Sequence, residues 1–516
     1  GFLLFSPPGE VRAAIYIAAL TGLTLFSCLL AYSLLGDFLA AALLLVPLWS
    51  LVKGFVDFLL LRFLRPQPLP RLDLSAGVPE EGKTICVLSA LLGCVELERL
   101  EQLRLASRHE GKHLAFGLLA DLPAADTETT SNDDALIEEA KRTVNALNEK
   151  YGGGFYLFLR PRSFDGEGYS GFERKRGALT ELAKLLCGED SALRIIGDRN
   201  ALRGTRYIIS LDADTRVFPG SLGRLIGAAL HPLNVPVPGP EGLPVSGHAV
   251  IHPRIETELE SAGATDFALI FAGPGGSDPY GGLSTELYMD AFGSGGFAGK
   301  GILDAEMLLR CGEKLPTGRV LSHDALEGAY LRGAYMSDAN LVDAFPAKPL
   351  QYFKRLHRWV RGDWQNAPWI FKRELPLIDR FRLLDSLRRS LLAPVTFTAM
   401  LLGLCCVLLC GCRVRLTGAR PEEDALRALA GTEEAAPAAT PDTGEGRPED
   451  APPRADASAP EDIRKDMRAA IVLRDVQGFS YDEIARILEA NVGTIKSRIS
   501  LTPFGPGPAS GRFSST

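Results

Sequence analysis

Three apolar runs of about bilayer length constrain the fold of this chain more than any other feature of its sequence. Ala13 to Gly36 holds 24 residues without a charge, and Ser390 to Cys412 holds 23. A helix of ~20 apolar residues crosses the hydrocarbon layer. The run from Phe38 to Leu61 contains Lys53 and Asp57, which lie four apart and can pair on one helix face. Buried core helices are the alternative, but three separate runs favour membrane spans.

Basic residues flank these runs on the sides that face the middle of the chain. They are Arg62, Arg65 and Arg71 on one side and Arg380, Arg382, Arg388 and Arg389 on the other. The positive-inside rule therefore places the block of about 66–389 in the cytoplasm. We expect a transmembrane hairpin over 11–65 and a transmembrane helix over 390–412.

Composition excludes two classes of protein. Nine cysteines among 516 residues, without a paired spacing, exclude a disulfide scaffold and fit a reduced, cytosol-facing protein. The net charge of −7 argues against a chain that wraps nucleic acid over its whole surface. The length fits two to four domains of roughly 100–200 residues each.

Strands alternate with helices in the middle of the chain. Apolar segments predict strands, and the polar segment 132–150, with acidic residues at its start and a lysine at its end, predicts a helix. The strands are expected over 84–92, 114–120, 155–160 and 207–211, and the helices over 132–150 and 174–186. This order predicts an α/β domain with a mainly parallel sheet and a site at the carboxyl ends of its strands.

The composition changes again after Gly418. The segment 418–460 is rich in Pro, Ala, Glu and Asp with few large apolar residues, which predicts a disordered linker. Helical periodicity returns over 461–500. The chain then ends in a segment rich in Gly, Pro and Ser, which we expect to fray.

A pair of carboxylates directly follows one predicted strand. Asp212 and Asp214 come after the apolar strand 207–211. Two carboxylates at this spacing form a hard oxygen site that suits Mg²⁺ or Mn²⁺ shared with a diphosphate. Many surface loops also carry Asp-x-Asp. The position of this pair directly after an apolar strand is what favours a metal site.

Two further segments offer catalytic side chains. Asp324 is suited to act as a general base towards a sugar hydroxyl, although an aspartate before a helical run is as often an N-cap. Arg358 and Trp359, which follow Arg355, offer a diphosphate contact and a flat ring for stacking on a sugar. An interfacial amphipathic helix next to the membrane is the alternative for this segment, and both readings are compatible.

The order of these motifs resembles that of the processive family 2 glycosyltransferases with a GT-A fold. Those enzymes carry Asp-x-Asp, a catalytic Asp and Gln-x-x-Arg-Trp in the same order, although Arg355 stands here at the Gln position. More narrowly, residues 84–375 resemble the glycosyltransferase domain (family 84) of cyclic β-1,2-glucan synthases. The segments that carry this resemblance are 171–177, 211–216, 292–301, 321–328 and 357–365.

The resemblance implies a role for each matching residue. Asp121 would contact the uracil or ribose of UDP-glucose, and Lys175 would lie near the diphosphate. Asp212 and Asp214 would hold the donor and a Mg²⁺ or Mn²⁺ ion, and Asp324 would be the base. The resemblance also implies that Arg358 stabilises the departing UDP and that Trp359 stacks on the acceptor.

The implied protein is an inverting glucosyltransferase that extends a β-1,2-glucan chain at the bacterial inner membrane, with its catalytic domain in the cytoplasm. A β-glucan of another linkage is the alternative on the same fold. Full synthases of this family carry more membrane helices and a large phosphorylase-like domain, neither of which has a counterpart in these residues. Cyclisation and control of chain length therefore do not follow from the resemblance.

The segment 461–500 resembles region 4 of extracytoplasmic-function sigma factors, a small all-α helix-turn-helix. Ser480 and Glu483 form a capping box for one helix. The second helix would present four residues to the major groove of DNA, and RNA polymerase would be a further partner. These residues are Thr494, Lys496, Ser497 and Arg498. A generic amphipathic hairpin is the alternative.

The two resemblances conflict in topology. With the catalytic block in the cytoplasm, one crossing at 390–412 would place the tail on the opposite side of the membrane from DNA. We therefore hypothesise that the sequence is a composite of a truncated glucan synthase and an unrelated sigma fragment. A membrane-tethered transcription regulator is the rival function, from a different class. Amplification across codons 410–470 of source DNA tests the hypothesis, because a continuous product of the expected length would refute it.

Overall fold

The computed structural model describes residues 9–416, except 94–97, 167, 274–285, 319 and 321–322, and for 407–416 it describes the backbone alone. The chain divides into two units, Gly1–Ala419 and Arg420–Thr516, and all described residues belong to the first. The predicted linker over 418–460 and the predicted helix-turn-helix over 461–500 lie outside the described residues.

The described residues form helices and strands in alternation. The helices are α1 (Gly9–Leu35), α2 (Phe38–Leu43), α3 (Leu45–Phe63), α4 (Arg99–Ala106), α5 (Asp133–Tyr151), α6 (Arg174–Cys187), α7 (Ser221–Leu230), α8 (Leu259–Ala262), α9 (Asp266–Phe271), α10 (Leu287–Phe292), α11 (Ala305–Gly312), α12 (Asp324–Tyr330), α13 (Pro349–Gln365) and α14 (Leu377–Leu416). Short 3₁₀ turns cover Glu80–Gly82, Arg199–Leu202 and Ala367–Phe371.

The strands are β1 (Thr84–Leu91), β2 (Leu114–Asp121), β3 (Phe155–Arg160), β4 (Ser163–Phe164), β5 (Tyr169–Ser170), β6 (Arg194–Ile196), β7 (Tyr207–Asp212), β8 (Arg216–Val217), β9 (Val237–Pro238), β10 (Pro244–Ser246), β11 (Val250–Thr257), β12 (Gly301–Asp304) and β13 (Ala334–Asp343). The central sheet has nine strands in the order β6-β3-β2-β1-β7-β12-β11-β13-β8. The pairs β3-β2, β2-β1 and β1-β7 are parallel, whereas β12 is antiparallel to both of its neighbours.

The central parallel strands are apolar on both faces. β3 is buried along its whole length, and the first five residues of β1 are buried. Strands of this kind need cover on both sides, and the structure provides two separate cores. Cys86 and Leu88 of β1 pack into one core, and Ile85 and Val87 pack into the other. The expected α/β architecture with a mixed, largely parallel sheet is confirmed, and each predicted strand begins and ends within one residue of its observed bounds.

The apolar runs are helical as predicted, but the helices begin and end at different residues from the runs. The second run is split at Leu44 into α2 and α3, and Lys53 pairs with Asp57 as expected. The third run is the second half of the 40-residue helix α14. Within the described residues, two helices are long and apolar enough to cross a membrane, Gly9–Leu35 and Leu377–Cys406.

A third apolar cluster joins these helices to the domain that contains the sheet. Tyr16 of α1 packs on Phe292 of α10 and on Phe381 of α14, with ring centroids 5.3 and 5.6 Å apart. The ring contacts connect three elements that are far apart in the sequence. The ends of both long apolar helices are therefore fixed to the domain that carries the candidate site.

Candidate active site

The candidate site lies at the edge of the sheet where the parallel strands end. The register places Ser89 opposite Asp212 and Leu91 opposite Asp121. The chain passes from β1 outward to β3 on one side and later enters β7 on the other side of β1. Such a reversal of strand order leaves a crevice at the carboxyl ends, where ligands bind in open α/β sheets. Asp121 and Asp212, the last residues of β2 and β7, lie at this crevice.

Two lysines hold the carboxylate of Asp212. Lys175 Nζ donates to Asp212 Oδ1 and to the carbonyl oxygen of Gly299, both at 2.6 Å, and Lys300 Nζ lies 2.9 Å from Asp212 Oδ2. Burial alone would raise the pKa of Asp212, but the charges and hydrogen bonds of both lysines outweigh it and hold this pKa well below its usual range. Asp212 is therefore a fixed anion. Lys300 was not predicted as a site residue, although it belongs to the motif 292–301.

Lys175 is the second residue of α6, and the turn before it has a strained backbone. Glu173 and Arg174 have φ angles of 53° and 49°, in the left-handed region that costs non-glycine residues roughly 1–2 kcal/mol each. The Glu173 carboxylate accepts a hydrogen bond from the backbone N–H of Gly318 at 2.5 Å and pairs with Arg176 at 3.1 Å. These contacts fix the backbone conformation of the turn. The turn directs the side chain of Lys175 towards Asp212.

Arg160 is a site residue that the sequence reasoning missed. Its guanidinium donates to both oxygens of Asp121, at 2.7 and 2.6 Å, and to the carbonyl oxygens of Phe172 and Arg174, at 2.5 and 2.8 Å. Arg160 thus ties the end of β2 to the turn before Lys175. Its place as the last residue of β3, in register with Asp121, is the signal that would have found it.

The arginine also explains two glycines of the motif 171–177. A Cβ on Gly171 would lie 2.6 Å from Arg160 Nη2, and one on Gly177 would lie 2.5 Å from Arg160 Nη1. The same two Cβ atoms would lie 2.4 Å from Asp121 Oδ2 and 2.1 Å from the carbonyl oxygen of Phe172, so either methyl group would displace the guanidinium or the groups that it binds. The glycines of this motif are therefore required by the close packing of the turn against Arg160.

Asp214 and Asp343 complete the acidic side of the crevice. Asp214 is exposed at the rim, two residues beyond Asp212. Asp343, the last residue of β13, is buried, accepts a hydrogen bond from Thr215 Oγ1 at 2.8 Å and pairs with Lys300. The loop that carries Asp212 and Asp214 is therefore attached to β13 through a threonine, an aspartate and a lysine.

Asp324 lies on the opposite wall, at the start of α12. The structure places it as the first residue of the helix, so that the N-cap position belongs to His323 and not to Asp324. A Cβ on Gly299 would lie 3.0 Å from Asp324 Oδ1, and the carbonyl of the same glycine accepts from Lys175. Gly299 therefore lies between Asp324 and Lys175, and Lys175 is in turn bonded to Asp212. Burial raises its pKa, and the charge of Lys175 opposes that rise.

Glu327 lies one helical turn beyond Asp324 and was not predicted as a site residue. It is buried, and its Oε1 is 4.0 Å from Arg176 Nε. Burial, and then the charge of Asp324, raise the pKa of Glu327 to about 7. A carboxyl group that titrates near neutrality beside a candidate base is typical of enzyme active sites, although buried ion networks produce the same shift.

A cavity of about 530 Å³ is lined by residues from both walls of the crevice and from α13. Its lining includes Asp212, Lys300, Asp324, Arg358 and Trp359. Four residues that the sequence predicted as donor-binding, catalytic and acceptor-binding thus face one space, although they come from three separate segments. Asp121, Lys175 and Asp214 do not line it. Asp121 and Asp214 lie at or just beyond the ends of β2 and β7, and Lys175 of α6 is bonded directly to Asp212.

Helix α13 has features of both interpretations of its sequence, a sugar-stacking site and an amphipathic helix next to the membrane. Arg355 Cζ lies 5.4 Å from the ring centre of Trp359, a cation–π distance. Leu350 and Phe353 on the same helix are 65% and 54% exposed. The helix therefore presents Trp359 to the cavity and leaves apolar side chains on its outer surface.

The residues at the strand ends fit a divalent cation. Asp212 and Asp214 supply the oxygen ligands that Mg²⁺ and Mn²⁺ prefer, and Asp214 is accessible from the rim. Within the described residues, no group of three or more His, Cys, Asp or Glu side chains is placed to enclose a metal ion. A cation here would need further oxygens from a ligand such as a diphosphate, which agrees with the open crevice.

Comparison with known proteins supports the resemblance that the catalytic block suggested. The chain is 34% identical over 367 residues to the cyclic β-(1,2)-glucan synthase NdvB of Rhizobium meliloti. The resemblance to cyclic β-1,2-glucan synthases is confirmed. The match covers 68% of this chain, but this chain spans 13% of the length of NdvB.

Two further similarities were found. Residues 464–502 match the family described as Sigma-70, region 4. The chain is 51% identical over 39 residues to the ECF RNA polymerase sigma-E factors of Escherichia coli and Salmonella typhimurium, which is 8% of this chain and 20% of theirs. The resemblance of the tail is thus confirmed as well, while Thr494, Lys496, Ser497 and Arg498 lie outside the described residues.

One solved structure is similar over most of the chain. It is the mannosyltransferase PcManGT from Pyrobaculum calidifontis in complex with GDP-Man and Mn²⁺. The likeness covers 82% of this chain and 91% of that one, at 13% identity and a TM-score of 0.38. A TM-score this low carries no argument about function.

Proposed function

We propose that this chain is a membrane-bound, inverting glucosyltransferase that uses UDP-glucose to extend β-1,2-glucan. The cavity that joins Asp212, Asp324 and Trp359 is the observation that carries the proposal, because it combines a donor side, a base and a stacking ring. The identity to NdvB supports glucan synthesis as the reaction. A β-glucan of another linkage needs the same three parts, so the linkage rests on the similarity to NdvB.

The proposed reaction is a single displacement. Asp324 accepts the proton of an acceptor hydroxyl, whose oxygen attacks the anomeric carbon from the face opposite UDP. The bond from that carbon to the diphosphate breaks, and the configuration inverts. Arg358 offsets the charge that develops on the departing UDP, and Trp359 holds the acceptor ring. Mg²⁺ or Mn²⁺ held by Asp212 and Asp214 would supply further positive charge at the diphosphate.

The remaining donor-side residues orient the nucleotide. Asp121 keeps lone pairs for a uracil or ribose contact while Arg160 fixes its position. Lys175, whose ammonium group is bonded to Asp212, would contact the diphosphate of the donor.

Membrane attachment is part of the proposal. The outward residues of α1 and α14 include Phe26 and Phe397, which are 66% and 68% exposed. Large apolar residues exposed along two helices of sufficient length favour burial in lipid over contact with water. We place the catalytic block on the cytoplasmic side of a bacterial inner membrane, where UDP-glucose is available.

The test is transfer of radiolabelled glucose from UDP-glucose by membranes that contain the chain. Asp324→Asn should lower transfer by at least a thousandfold, because the amide cannot accept the proton. Asp338→Asn, at an aspartate whose side chain is 52% exposed, is the matched control and should keep wild-type activity. Equal activity of both variants would refute the role of Asp324.

A second candidate function is favoured by the match of residues 464–502 to sigma region 4. We propose that this segment contacts promoter DNA through Thr494, Lys496, Ser497 and Arg498, and that RNA polymerase is its partner. Band-shift titration of the full chain against −35 promoter DNA tests the proposal. Binding lost in Arg498→Ala, with a steep salt dependence, is the expected result. Binding unchanged by the substitution would contradict it.

A further inference from the structure

Lys300 is a buried lysine at the bottom of the cavity. It is 2% exposed and directly precedes β12. The next residue, Gly301, has a φ of 147°, and a Cβ there would lie 2.2 Å from the carbonyl oxygen of Ile251. The backbone is therefore confined at this point, and the lysine enters the site from a fixed position. A buried ammonium needs partners, because its desolvation costs several kcal/mol.

Both partners of this ammonium are carboxylates of the crevice. Lys300 Nζ hydrogen-bonds to Asp343 Oδ2 and lies 2.9 Å from Asp212 Oδ2. Thr215 Oγ1 donates to the other oxygen of Asp343 at 2.8 Å. The lysine thus shares its charge between a structural carboxylate and the first carboxylate of Asp-x-Asp.

The second lysine makes the arrangement symmetrical around Asp212. Lys175 occupies Oδ1 and Lys300 occupies Oδ2, so each oxygen of Asp212 already faces an ammonium group. A cation that binds Asp212 must share these oxygens with two positive charges. A divalent cation on the same carboxylate would be repelled by both ammonium groups, because charges at such a partly buried site are screened far less than in water.

We propose that Lys300 is a positioning residue that holds Asp212 in place and weakens the binding of a free divalent cation, so that the cation binds well only together with a diphosphate. The proposal rests on the proposed function. The diphosphate brings negative charge that offsets the repulsion, and Lys300 thereby couples cation binding to donor binding. Removal of the ammonium removes the repulsion, whereas removal of Asp343 leaves the whole ammonium charge to Asp212.

The test measures Mn²⁺ binding directly, by electron paramagnetic resonance of the detergent-purified full chain, with and without UDP. Wild type should bind Mn²⁺ at least tenfold more tightly when UDP is present. Lys300→Met should bind Mn²⁺ alone at least tenfold more tightly than wild type, and UDP should improve its binding by a smaller factor than it does in wild type. Lys300→Arg, which keeps the charge, should behave as wild type.

Asp343→Asn should change Mn²⁺ affinity in the direction opposite to Lys300→Met. Lys150→Met, at a lysine on the surface, is the matched control. Asp343→Asn should weaken binding of Mn²⁺ alone at least threefold, and Lys150→Met should change nothing. A purely structural role predicts weaker binding for both Lys300→Met and Asp343→Asn, and that result would overturn the proposal. If wild type binds neither Mn²⁺ nor UDP and transfers no glucose, the proposed function fails as well. If wild type transfers glucose but Lys300→Met binds Mn²⁺ with unchanged affinity, this inference alone fails.

Discussion

Two buried arginines make the same set of contacts, and one of them touches the candidate site. Arg160 donates to both oxygens of Asp121 and to two backbone carbonyls. Arg162 donates to both oxygens of Asp133 and to two backbone carbonyls, and each arginine is 5% exposed. Replacement of either by methionine removes the arginine from a carboxylate that is largely buried, which costs about 3–5 kcal/mol, although Thr130 still donates to Asp133. We therefore expect similar losses of thermal stability from the two substitutions.

Their effects on transfer should differ. Arg160→Met releases the carbonyls of Phe172 and Arg174, and with them the turn that directs Lys175 to Asp212. A charge-assisted hydrogen bond such as the one from Lys175 is worth about 1.5–3 kcal/mol, which corresponds to roughly 10- to 100-fold in rate. Arg162→Met changes a loop that does not contact Lys175, and kcat/KM should stay within about twofold of wild type.

The assay combines two measurements on detergent-purified protein. Scanning fluorimetry gives the unfolding midpoint, and the initial rate of glucose transfer at varied UDP-glucose gives kcat/KM below that midpoint. Comparable midpoints with a loss of activity confined to Arg160→Met would support the reasoning. An equal loss of activity in both variants would refute it, because stability alone would then explain the effect.

Three further predictions concern the base, its neighbour and the stacking ring. Because burial raises the pKa of Asp324, kcat/KM should fall with decreasing pH at a midpoint above about 3.9, and a profile that stays flat down to about pH 4 would contradict the assignment. The folded pKa of Glu327 is raised to about 7, so its stabilising effect is present at low pH and is lost as pH rises from 4.5 through about 7. In Glu327→Gln the unfolding midpoint should depend less on pH over this range, and identical curves in fluorimetry would argue against the shift. Trp359→Ala should raise the acceptor concentration needed for half-maximal transfer at least tenfold while Trp359→Phe largely restores it, and equal effects of both would exclude stacking.

The sequence was sufficient to predict the four neighbouring parallel strands β3, β2, β1 and β7 because they carry their own signal. β1, β2, β3 and β7 are continuous apolar segments, and their neighbouring helices begin with acidic residues or end at glycine. The remaining strands of the sheet, including the longer β11 and β13, were not predicted. β12 is four residues long, and β8 is two, so that neither contains enough residues for a periodic pattern.

The candidate site was predicted as a set of residue types but not as a network. Asp212, Asp324 and Trp359 could be selected from motifs, and the structure places them around one cavity. Arg160 and Asp343 end strands and Lys300 lies in the motif 292–301, but none of these positions shows which partner the side chain has. Their roles depend on strand register and on partners far away in the sequence, such as the 39 positions between Asp121 and Arg160.

Linkage analysis of the product tests the central claim most directly. Membranes that contain the chain should convert radiolabelled UDP-glucose into a polymer whose permethylation products are mainly those of 2-linked glucose and whose anomeric protons show the β configuration by NMR. Membranes with Asp324→Asn should yield none above background. A polymer of another linkage would contradict β-1,2-glucan synthesis while keeping the fold and base, and equal label in both membranes would contradict the account of the active site.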